Sequence, residues 1–187
     1  MHILVMTRIM PGHSLGGMQK QTMDLCTGFA QSGHKVSVIT TARHDGIEFE
    51  NIDGVDIFYL SGSKPGYYSR KWNSLCRKTI AKIHQEKPID VIHSQSMGAI
   101  GVLKWAKKNS VPIVSTWHGT SLTEISTFFS SASYHPRYWH WLFIMPFTLL
   151  KRYLTMDLAV RRASSKITLV SPTLEKNMKF LAGDKVI

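Results

Sequence analysis

Cysteine is scarce in this chain, which has only Cys26 and Cys76 among its 187 residues. Both fall on the apolar faces of predicted helices, so we interpret them as buried reduced thiols rather than as a disulfide or a metal pair. His135 and His140 lie five residues apart, without the carboxylate or thiolate companions that a zinc site usually needs. The composition therefore excludes a disulfide-rich scaffold and offers no metal cluster.

Long apolar runs are also missing. The longest, from Trp141 to Pro146, is far shorter than the roughly 20 residues that cross a bilayer. Met1 and His2 lead directly into a predicted strand, with neither the basic segment nor the long apolar segment of a secretory signal. We therefore expect one substantial domain on the cytoplasmic side.

Acidic residues are few: the chain has 12 Asp and Glu but 23 Lys and Arg, which gives a net charge of +11. Residues 64–108 hold ten basic residues and only two acids, Glu86 and Asp90. Such an excess suits nucleic acid, an anionic membrane surface or phosphate-bearing substrates, and a solvated basic surface explains it equally well. Nucleic acid would rest on charge alone, because no recognised binding module is present, so we expect none as a partner.

The first 40 residues form the organising unit. An apolar strand at 3–6 is followed by a loop at 11–17 that ends in two glycines, a helical pattern at 17–31 and a second apolar strand at 36–40. Gly33 stands where the left-handed cap of this helix is expected. A β–α–β unit of this kind places backbone N–H groups and a helix N-terminus beside an open pocket, where phosphate oxygens bind.

Strands and helices continue to alternate along the chain. The pattern predicts helices at 70–86, 97–109 and 157–163, and strands at 55–60, 89–94, 112–116 and 166–170. This alternation predicts an α/β fold, a doubly wound, mostly parallel Rossmann-like sheet with helices on both faces. Ligands of such sheets bind beyond the carboxyl ends of the strands, so we expect three dipeptides to converge on one edge: Gly16-Gly17, Ser94-Gln95 and His118-Gly119.

The remaining segments give weaker predictions. Residues 42–53 read as a loop or small hairpin, 122–133 as a mobile loop, and 183–187 as the start of a strand. The aromatic stretch at 134–154 fits either a buried helix or a helix that lies on a membrane surface. Ser171 is expected to cap a helix that begins at Pro172.

Two familiar nucleotide-binding motifs are absent. The glycine loop is not Gly-x-Gly-x-x-Gly, and Thr40 to Arg43 stand where an acidic residue would hold a ribose. The Gly-Lys-Ser/Thr of a P-loop is missing as well. These departures argue against a dinucleotide dehydrogenase and a P-loop enzyme.

A set of ordered motifs is more specific. Gly16-Gly17 is followed by Leu25, Phe29 and Gly33-His34-x-Val36-x-Val38-Ile39-Thr40, then by the segments at 90–93, 112–119 and 167–171, which read DVIH, PIVSTWHG and ITLVS. In this order and spacing, the segments resemble the N-terminal domain of family 4 glycosyltransferases, which have the GT-B fold. The resemblance covers nearly the whole chain.

The resemblance implies a retaining, two-domain enzyme of hexosyltransferase type that moves a sugar from a nucleotide-sugar to a glycan, lipid-linked or small-molecule acceptor. Residues 1–187 correspond to the acceptor-side domain, and the C-terminal nucleotide-sugar domain with its paired glutamates is expected to be absent. The chain alone should therefore be inactive. Family members resemble metal-independent catalysts, so we expect no cofactor and no metal.

The same resemblance implies catalytic and binding roles for residues that follow the strand ends. Backbone N–H groups of Gly16 and Gly17 would stabilise the departing diphosphate. His118 is expected near the transferred sugar as the catalytic residue, although a histidine at a strand end is often only structural. Acceptor contacts are predicted for five residues: His13, Ser94, Gln95, Gly119 and Thr120. His13 fits a simple loop role equally well, and His93 fits a hydrogen-bonded core histidine.

Two further interpretations stay open. The chain is alternatively a non-catalytic module that binds a phosphorylated or lipid ligand, or a partner chain that supplies the missing half. An anionic membrane surface is a second expected partner, through Lys71, Lys78 and Lys82 of the basic helix and through the region from Trp139 to Leu150. We expect such binding at the inner face of the membrane.

Overall fold

A computed structural model describes residues 1–131, 139–171, 174 and 183–187, with side chains in these ranges except at 126–128, 131, 139–143 and 183. The strands are β1 (His2–Met6), β2 (Lys35–Thr41), β3 (Phe49–Ile52), β4 (Val55–Leu60), β5 (Val91–Gln95), β6 (Ile113–Trp117) and β7 (Lys166–Leu169). The α-helices are α1 (Gly17–Gln31), α2 (Arg70–Glu86), α3 (Leu103–Lys108), α4 (Ser121–Ser131), α5 (Trp139–Arg152) and α6 (Leu158–Ala163).

The strands form one sheet in the order β3-β4-β2-β1-β5-β6-β7. Every neighbouring pair is parallel except β3 and β4, which form an antiparallel hairpin. Asp53 and Gly54 make the hairpin turn with φ values of 51° and 81°, the left-handed backbone that a two-residue turn needs. The order reverses at β1, between β2 and β5, so a ligand crevice is expected there.

Strand β1 shows how the sheet is covered on both faces. All five of its residues are buried. Ile3 and Val5 pack in a cluster with Cys26 of α1, whereas Leu4 and Met6 pack in another cluster with Trp72 and its neighbours in α2. Because successive side chains of a strand point to opposite faces, the two clusters lie on opposite sides of the sheet. The predicted doubly wound α/β fold is confirmed.

The helix predicted at 97–109 is divided into two pieces. A 3₁₀ turn at Gly98–Gly101 precedes the short helix α3. A Cβ on Gly98 would collide with the carbonyl oxygen of Met6, so this turn packs directly on the backbone of β1. Only a residue without a side chain fits at this close approach.

The mobile loop predicted at 122–133 is wrong for its described residues, which end at 131. They form helix α4, and a distant carboxylate holds its N-terminus: Oδ2 of Asp157 accepts the Ser121 N–H at 2.7 Å. Thr120 and Thr123 add reciprocal hydrogen bonds between their hydroxyls and backbone N–H groups. A tertiary contact therefore supports a helix that Ser/Thr-rich composition does not predict.

Helix α5 continues without a break into a π-helical turn, Tyr153–Asp157, and then into α6. Within the aromatic stretch, Leu149 is buried whereas Phe147 is exposed, so its described part is not a wholly buried helix, and contact with a membrane surface stays a prediction. None of the helices in the described parts of the chain combines the length and the apolar content needed to cross a bilayer.

Near the chain end, the hydroxyl of Ser171 accepts the Leu174 N–H at 3.2 Å, as a helix cap would, while Pro172 lies outside the described residues. The strand expected at 183–187 is wrong for most of its length. Residues Gly183–Lys185 form a 3₁₀ turn, and a single parallel bridge joins Val186 to Ile167.

Candidate active site

A cleft of about 510 Å³ opens beyond the carboxyl ends of β1, β5 and β6, at the reversal of strand order. Strand ends and their loops supply one side of it, and the helices α4 and α5 with the π-helical turn supply the other. The described lining residues are Arg8, Met18, Tyr68, Gln95, Ser96, Met97, His118, Gly119, Ser121, Thr123, Glu124, Met145, Leu149 and Asp157. Both polar and apolar groups therefore face the same space.

Two of the three predicted dipeptides contribute directly to this cleft. Gln95 and the pair His118-Gly119 line it. Gly16 and Gly17 line a separate depression on α1, although the next residue, Met18, reaches the cleft. The predicted convergence thus holds for β5 and β6, and the glycine turn meets the cleft only through its neighbour.

His118 is held by Gln95. Its Nε2 lies 2.8 Å from Gln95 Oε1, and because that oxygen can only accept, the ring must donate from Nε2. Burial lowers the pKa of His118 below its ordinary value. The ring is therefore neutral at neutral pH, with the lone pair on Nδ1.

Gln95 also carries an unpaired donor. The residue is 2% exposed, and its Nε2 has no hydrogen-bond partner among the described residues. Leaving such a buried group unpaired costs roughly 1–3 kcal/mol. An amide that lines a cleft and lacks a partner is well placed to donate to a ligand oxygen.

His93 lies on β5, two residues before Gln95. Its Nε2 is 2.8 Å from Thr116 Oγ1, which is 2.6 Å from Thr168 Oγ1, so one polar chain crosses β5, β6 and β7. Burial, with a smaller contribution from nearby His118, lowers the pKa of His93 to about 4. These bonds agree with the interpretation of His93 as a hydrogen-bonded core residue.

Of the two glycines at the start of α1, only Gly17 has open space beside its α-carbon. A Cβ on Gly16 would lie 2.6 Å from Gln19 Oε1, and Gln19 is itself fixed by a 3.0 Å hydrogen bond from its Nε2 to Ser14 Oγ. A Cβ on Gly17 would meet nothing within 4 Å. The first N–H bond inside α1 is Lys20 to the Gly16 carbonyl, so the N–H groups before Lys20 point out of the helix end.

Three predicted acceptor residues make hydrogen bonds within the fold and do not belong to the described lining of the cleft. His13 accepts the Met10 N–H at Nδ1 and donates from Nε2 to the Thr41 carbonyl, which ties the loop to β2. The Ser94 hydroxyl accepts the Ala99 N–H and donates to the Ser96 carbonyl. Thr120 helps to cap α4. Their contact with an acceptor stays a prediction.

The helical side of the cleft is built on Asp157, which is 1% exposed. Its carboxylate accepts both the N–H and the hydroxyl of Ser121, and that hydroxyl also accepts from Arg152 Nε at 2.7 Å. Arg152 in turn forms an ion pair with Glu124. Burial is the main cause that raises the pKa of Asp157.

Sequence reasoning missed several lining residues. Arg8 is the one Lys or Arg among the described lining residues, and it follows β1 closely enough for the strand-end rule to have found it. Tyr68 is not such a miss, because its loop position suggested a residue that either lines a site or packs, and it does both: it lines the cleft with its ring 5.4 Å from that of Trp72. Asp157 had no local motif, because its role depends on the π-helical turn.

Among the described residues, no group of three or more His, Cys, Asp or Glu side chains is arranged to hold a metal ion. His135 lies outside the described residues. Cys26 and Cys76 are both buried and unpaired. The expectation of metal-independent chemistry stays a prediction.

The fold and the cleft define a Rossmann-like ligand-binding domain of the kind found in GT-B glycosyltransferases. The model of Glycosyltransferase Family 4 matches residues 15–186, so the chain belongs to this family. The resemblance seen in the ordered motifs is thereby confirmed. A comparison with curated protein sequences gave no match.

Solved structures agree on the fold. The chain is similar to sucrose-phosphate synthase from Thermosynechococcus elongatus, with a TM-score of 0.69 and 12% identity over 100% of this chain and 47% of that one. It is also similar to the catalytic domain of starch synthase IV from Arabidopsis thaliana bound to ADP and acarbose, with a TM-score of 0.58 and 15% identity over 100% and 50% of the two chains. The chain thus spans about half the length of these two structures.

Proposed function

We propose that this chain is the acceptor-side half of a retaining glycosyltransferase, which moves a sugar, of hexose type, from a nucleotide-sugar to an acceptor bound in the cleft. The observation that carries the proposal is the cleft at the reversal of strand order, with neutral His118, the unpaired Gln95 amide and Arg8 on one rim. Membership of Glycosyltransferase Family 4 supports it independently.

The roles follow from the chemistry of each group. His118 Nδ1 accepts a hydrogen bond from a sugar hydroxyl, because Nε2 is committed to Gln95. Gln95 Nε2 donates to a sugar oxygen and so gains a partner that it lacks among the described residues. The two residues together orient a sugar over the carboxyl end of β5 and β6.

Negative charge develops on the leaving diphosphate during transfer. The open N–H groups at Gly17 and the first turn of α1, together with the helix dipole, stabilise that charge. Arg8 adds a full positive charge from the end of β1. A side chain at Gly16 would collide with Gln19, so this position requires glycine for the turn to pack against Gln19.

A second domain completes the donor site in this proposal, and the chain alone does not turn over. The alternative is a non-catalytic module that binds a phosphorylated ligand or a partner chain. The reading frame beyond Ile187 separates the two: a second Rossmann-like half with paired glutamates supports the transferase, and an immediate stop codon supports the module.

The decisive experiment uses the protein that contains both halves. His118→Ala should lower kcat with a panel of UDP-, GDP- and ADP-sugars by on the order of 100-fold, with little change in Tm. The exposed His44→Ala variant is the matched control. An equal loss of activity and Tm in His118→Ala would assign the residue a structural role only.

The phosphate site can be tested on the 187-residue chain itself. Titration with pyrophosphate should shift the backbone amide resonances of Gly17 and Met18, and Arg8→Gln should weaken binding by roughly tenfold because a charge-assisted hydrogen bond is lost. Arg77→Gln removes an exposed charge on α2 and should leave the affinity unchanged. Equal weakening in both variants would reduce the effect to net charge.

A further inference from the structure

Helix α5 has two apolar faces, and only one of them is covered. Met145 and Leu149 line the cleft, and Leu149 is 4% exposed. The opposite side, together with the π-helical turn that continues it, presents four large apolar side chains to solvent: Ile144 at 55%, Phe147 at 74%, Leu150 at 42% and Leu154 at 56% exposure. We call these four residues the outer stripe.

The outer stripe is a continuous surface. Its members are spaced three, three and four residues apart, so they follow one side of the helix and run into the π-helical turn over about 15 Å. Exposed apolar residues are usually scattered singly, and a contiguous patch marks an interaction surface.

The charge around the outer stripe is strongly positive. Residues 125–170 contain one acid, Asp157, which is buried against Ser121. The described part of this segment contains five basic residues, Lys151, Arg152, Arg161, Arg162 and Lys166, of which Arg152 is paired with Glu124. Lys151 lies within the stripe and is exposed. The surface therefore combines apolar contact with attraction to anions.

We propose that the outer stripe docks on an anionic membrane, with Phe147 and its neighbours in the boundary between headgroups and acyl chains and with Lys151 against lipid phosphates. Amphipathic helices with large apolar residues and flanking cations bind membranes in this way. Helix α2 lacks the apolar half of such a surface, because Trp72, Cys76, Ile80 and Ile83 are buried in the core. Its exposed lysines can add only long-range attraction.

Two other occupants fit less well. A second domain that closes over the cleft would face Met145 and Leu149, which lie on the opposite side of α5 from the outer stripe. A second copy of this chain would bring two basic surfaces together, at a cost in electrostatic repulsion. An anionic lipid surface satisfies both the apolar and the charged groups.

The docking has a consequence for the acceptor, which rests on the function proposed above. Because one helix contacts lipid on one side and the cleft on the other, the cleft opens within about one helix diameter, roughly 10 Å, of the headgroups. An acceptor that is anchored in the membrane by its lipid can then reach the site without leaving the bilayer.

Vesicle binding tests the docking without any sugar chemistry, so its failure is distinct from failure of the transferase proposal. The 187-residue chain should co-sediment with phosphatidylcholine vesicles that contain about a third phosphatidylglycerol, and far less with pure phosphatidylcholine. The double variant Ile144→Ser and Phe147→Ser should lose about tenfold in partition coefficient. Ile47→Ser with Phe49→Ser, which removes exposed apolar groups on the β3 edge, should bind like wild type.

A fluorescent label locates the contact even if the serine variant is unstable. Cys26 and Cys76 are buried, so a thiol-reactive NBD probe will label an introduced Phe147→Cys selectively. Its emission should rise and shift to the blue on addition of anionic vesicles, whereas the same probe on Lys78→Cys in α2 should not respond.

Three results would overturn the proposal. The first is equal vesicle binding by the outer-stripe variant and wild type, and the second is an NBD response on α2 but not on α5. The third is a concentration-dependent dimer that the stripe variant abolishes in the absence of lipid, which would assign the surface to a second copy of the chain.

Discussion

His118 and Gln95 stand 23 residues apart in sequence and are joined by a 2.8 Å hydrogen bond between Nε2 and Oε1 across the ends of two neighbouring strands. This bond fixes the tautomer of His118 and leaves Nδ1 as its acceptor. It also leaves the Gln95 amide nitrogen as a buried donor without a partner among the described residues. One pair thus offers a ligand both a donor and an acceptor.

We expect Gln95→Glu to raise the pKa of His118. A carboxylate at the position of the amide oxygen favours the charged imidazolium, and a nearby opposite charge shifts a pKa by roughly one unit or more. An NMR titration of the imidazole resonances measures the change, with the exposed Gln85→Glu as control. An unchanged titration in Gln95→Glu would mean that the hydrogen bond does not persist in solution.

We expect the free energy of unfolding to fall as the pH drops from about 6.5 to about 4. The pKa values of His2, His93 and His118 are lowered in the folded state, mainly by burial, and that of His93 is about 4. Below pH 6.5 the unfolded chain takes up protons that the folded chain does not, so each residue contributes at most about 1.4 kcal/mol per pH unit.

Urea unfolding at several pH values checks this slope. His93→Gln keeps a polar side chain near Thr116 without a titrating ring, so its stability should depend less on pH in this range. His44→Gln, at an exposed position, should retain the wild-type slope. Identical slopes for all three proteins would contradict the prediction.

We expect Gly98→Ala to destabilise the fold strongly, by roughly 3 kcal/mol or more, because the new Cβ collides with the backbone carbonyl of Met6 and neither main chain can move freely. Gly28→Ala is the matched control: it lies within α1, with open space around the added carbon. That variant should gain about 0.5–1 kcal/mol from helix propensity. Thermal unfolding measures both, and a mild effect at Gly98 would refute the close packing of the 3₁₀ turn on β1.

We expect Asp157→Ala to destabilise the chain by about 1–3 kcal/mol, since the Ser121 N–H and hydroxyl lose a buried acceptor. Asp24→Ala removes an exposed carboxylate paired with Lys20 and should cost less than about 1 kcal/mol. Hydrogen exchange of the first turn of α4 should accelerate in Asp157→Ala only. Unchanged protection there would show that the helix start does not depend on this carboxylate.

The sequence predicted the sheet because its strands carry the information locally. The buried residues of β1 and β2 and the glycine after α1 match the expected β–α–β unit, and Gly33 takes the left-handed φ of 81°. Strand-end logic then placed Gln95 and His118 in one cleft. These features depend on periodicity and turn chemistry, which a single sequence displays.

The misses depend on contacts between distant residues. Helix α4 begins where Asp157, 36 positions away, accepts from Ser121. Ser94 donates to the Ser96 carbonyl in the turn after β5, and His13 donates to the Thr41 carbonyl. Both hydrogen bonds can be recognised only in the folded structure. No local pattern predicts such bonds, because the same residue types serve equally well as ligands or as caps.

The π-helical turn between α5 and α6 sets the relative rotation of two helices that form one continuous rod. A π turn holds one residue more than an α turn, and each residue rotates a helix by about 100°. The turn therefore absorbs one extra residue while Met145 and Leu149 face the cleft and Val160 stays in the core. Deleting one residue within Tyr153–Asp157 would relax the turn to ordinary α-helix and leave both faces nearly in place, whereas a deletion within α5 itself would rotate Met145 by about 100° away from the cleft. This turn is therefore the one place in the rod where a change of one residue in length should be tolerated.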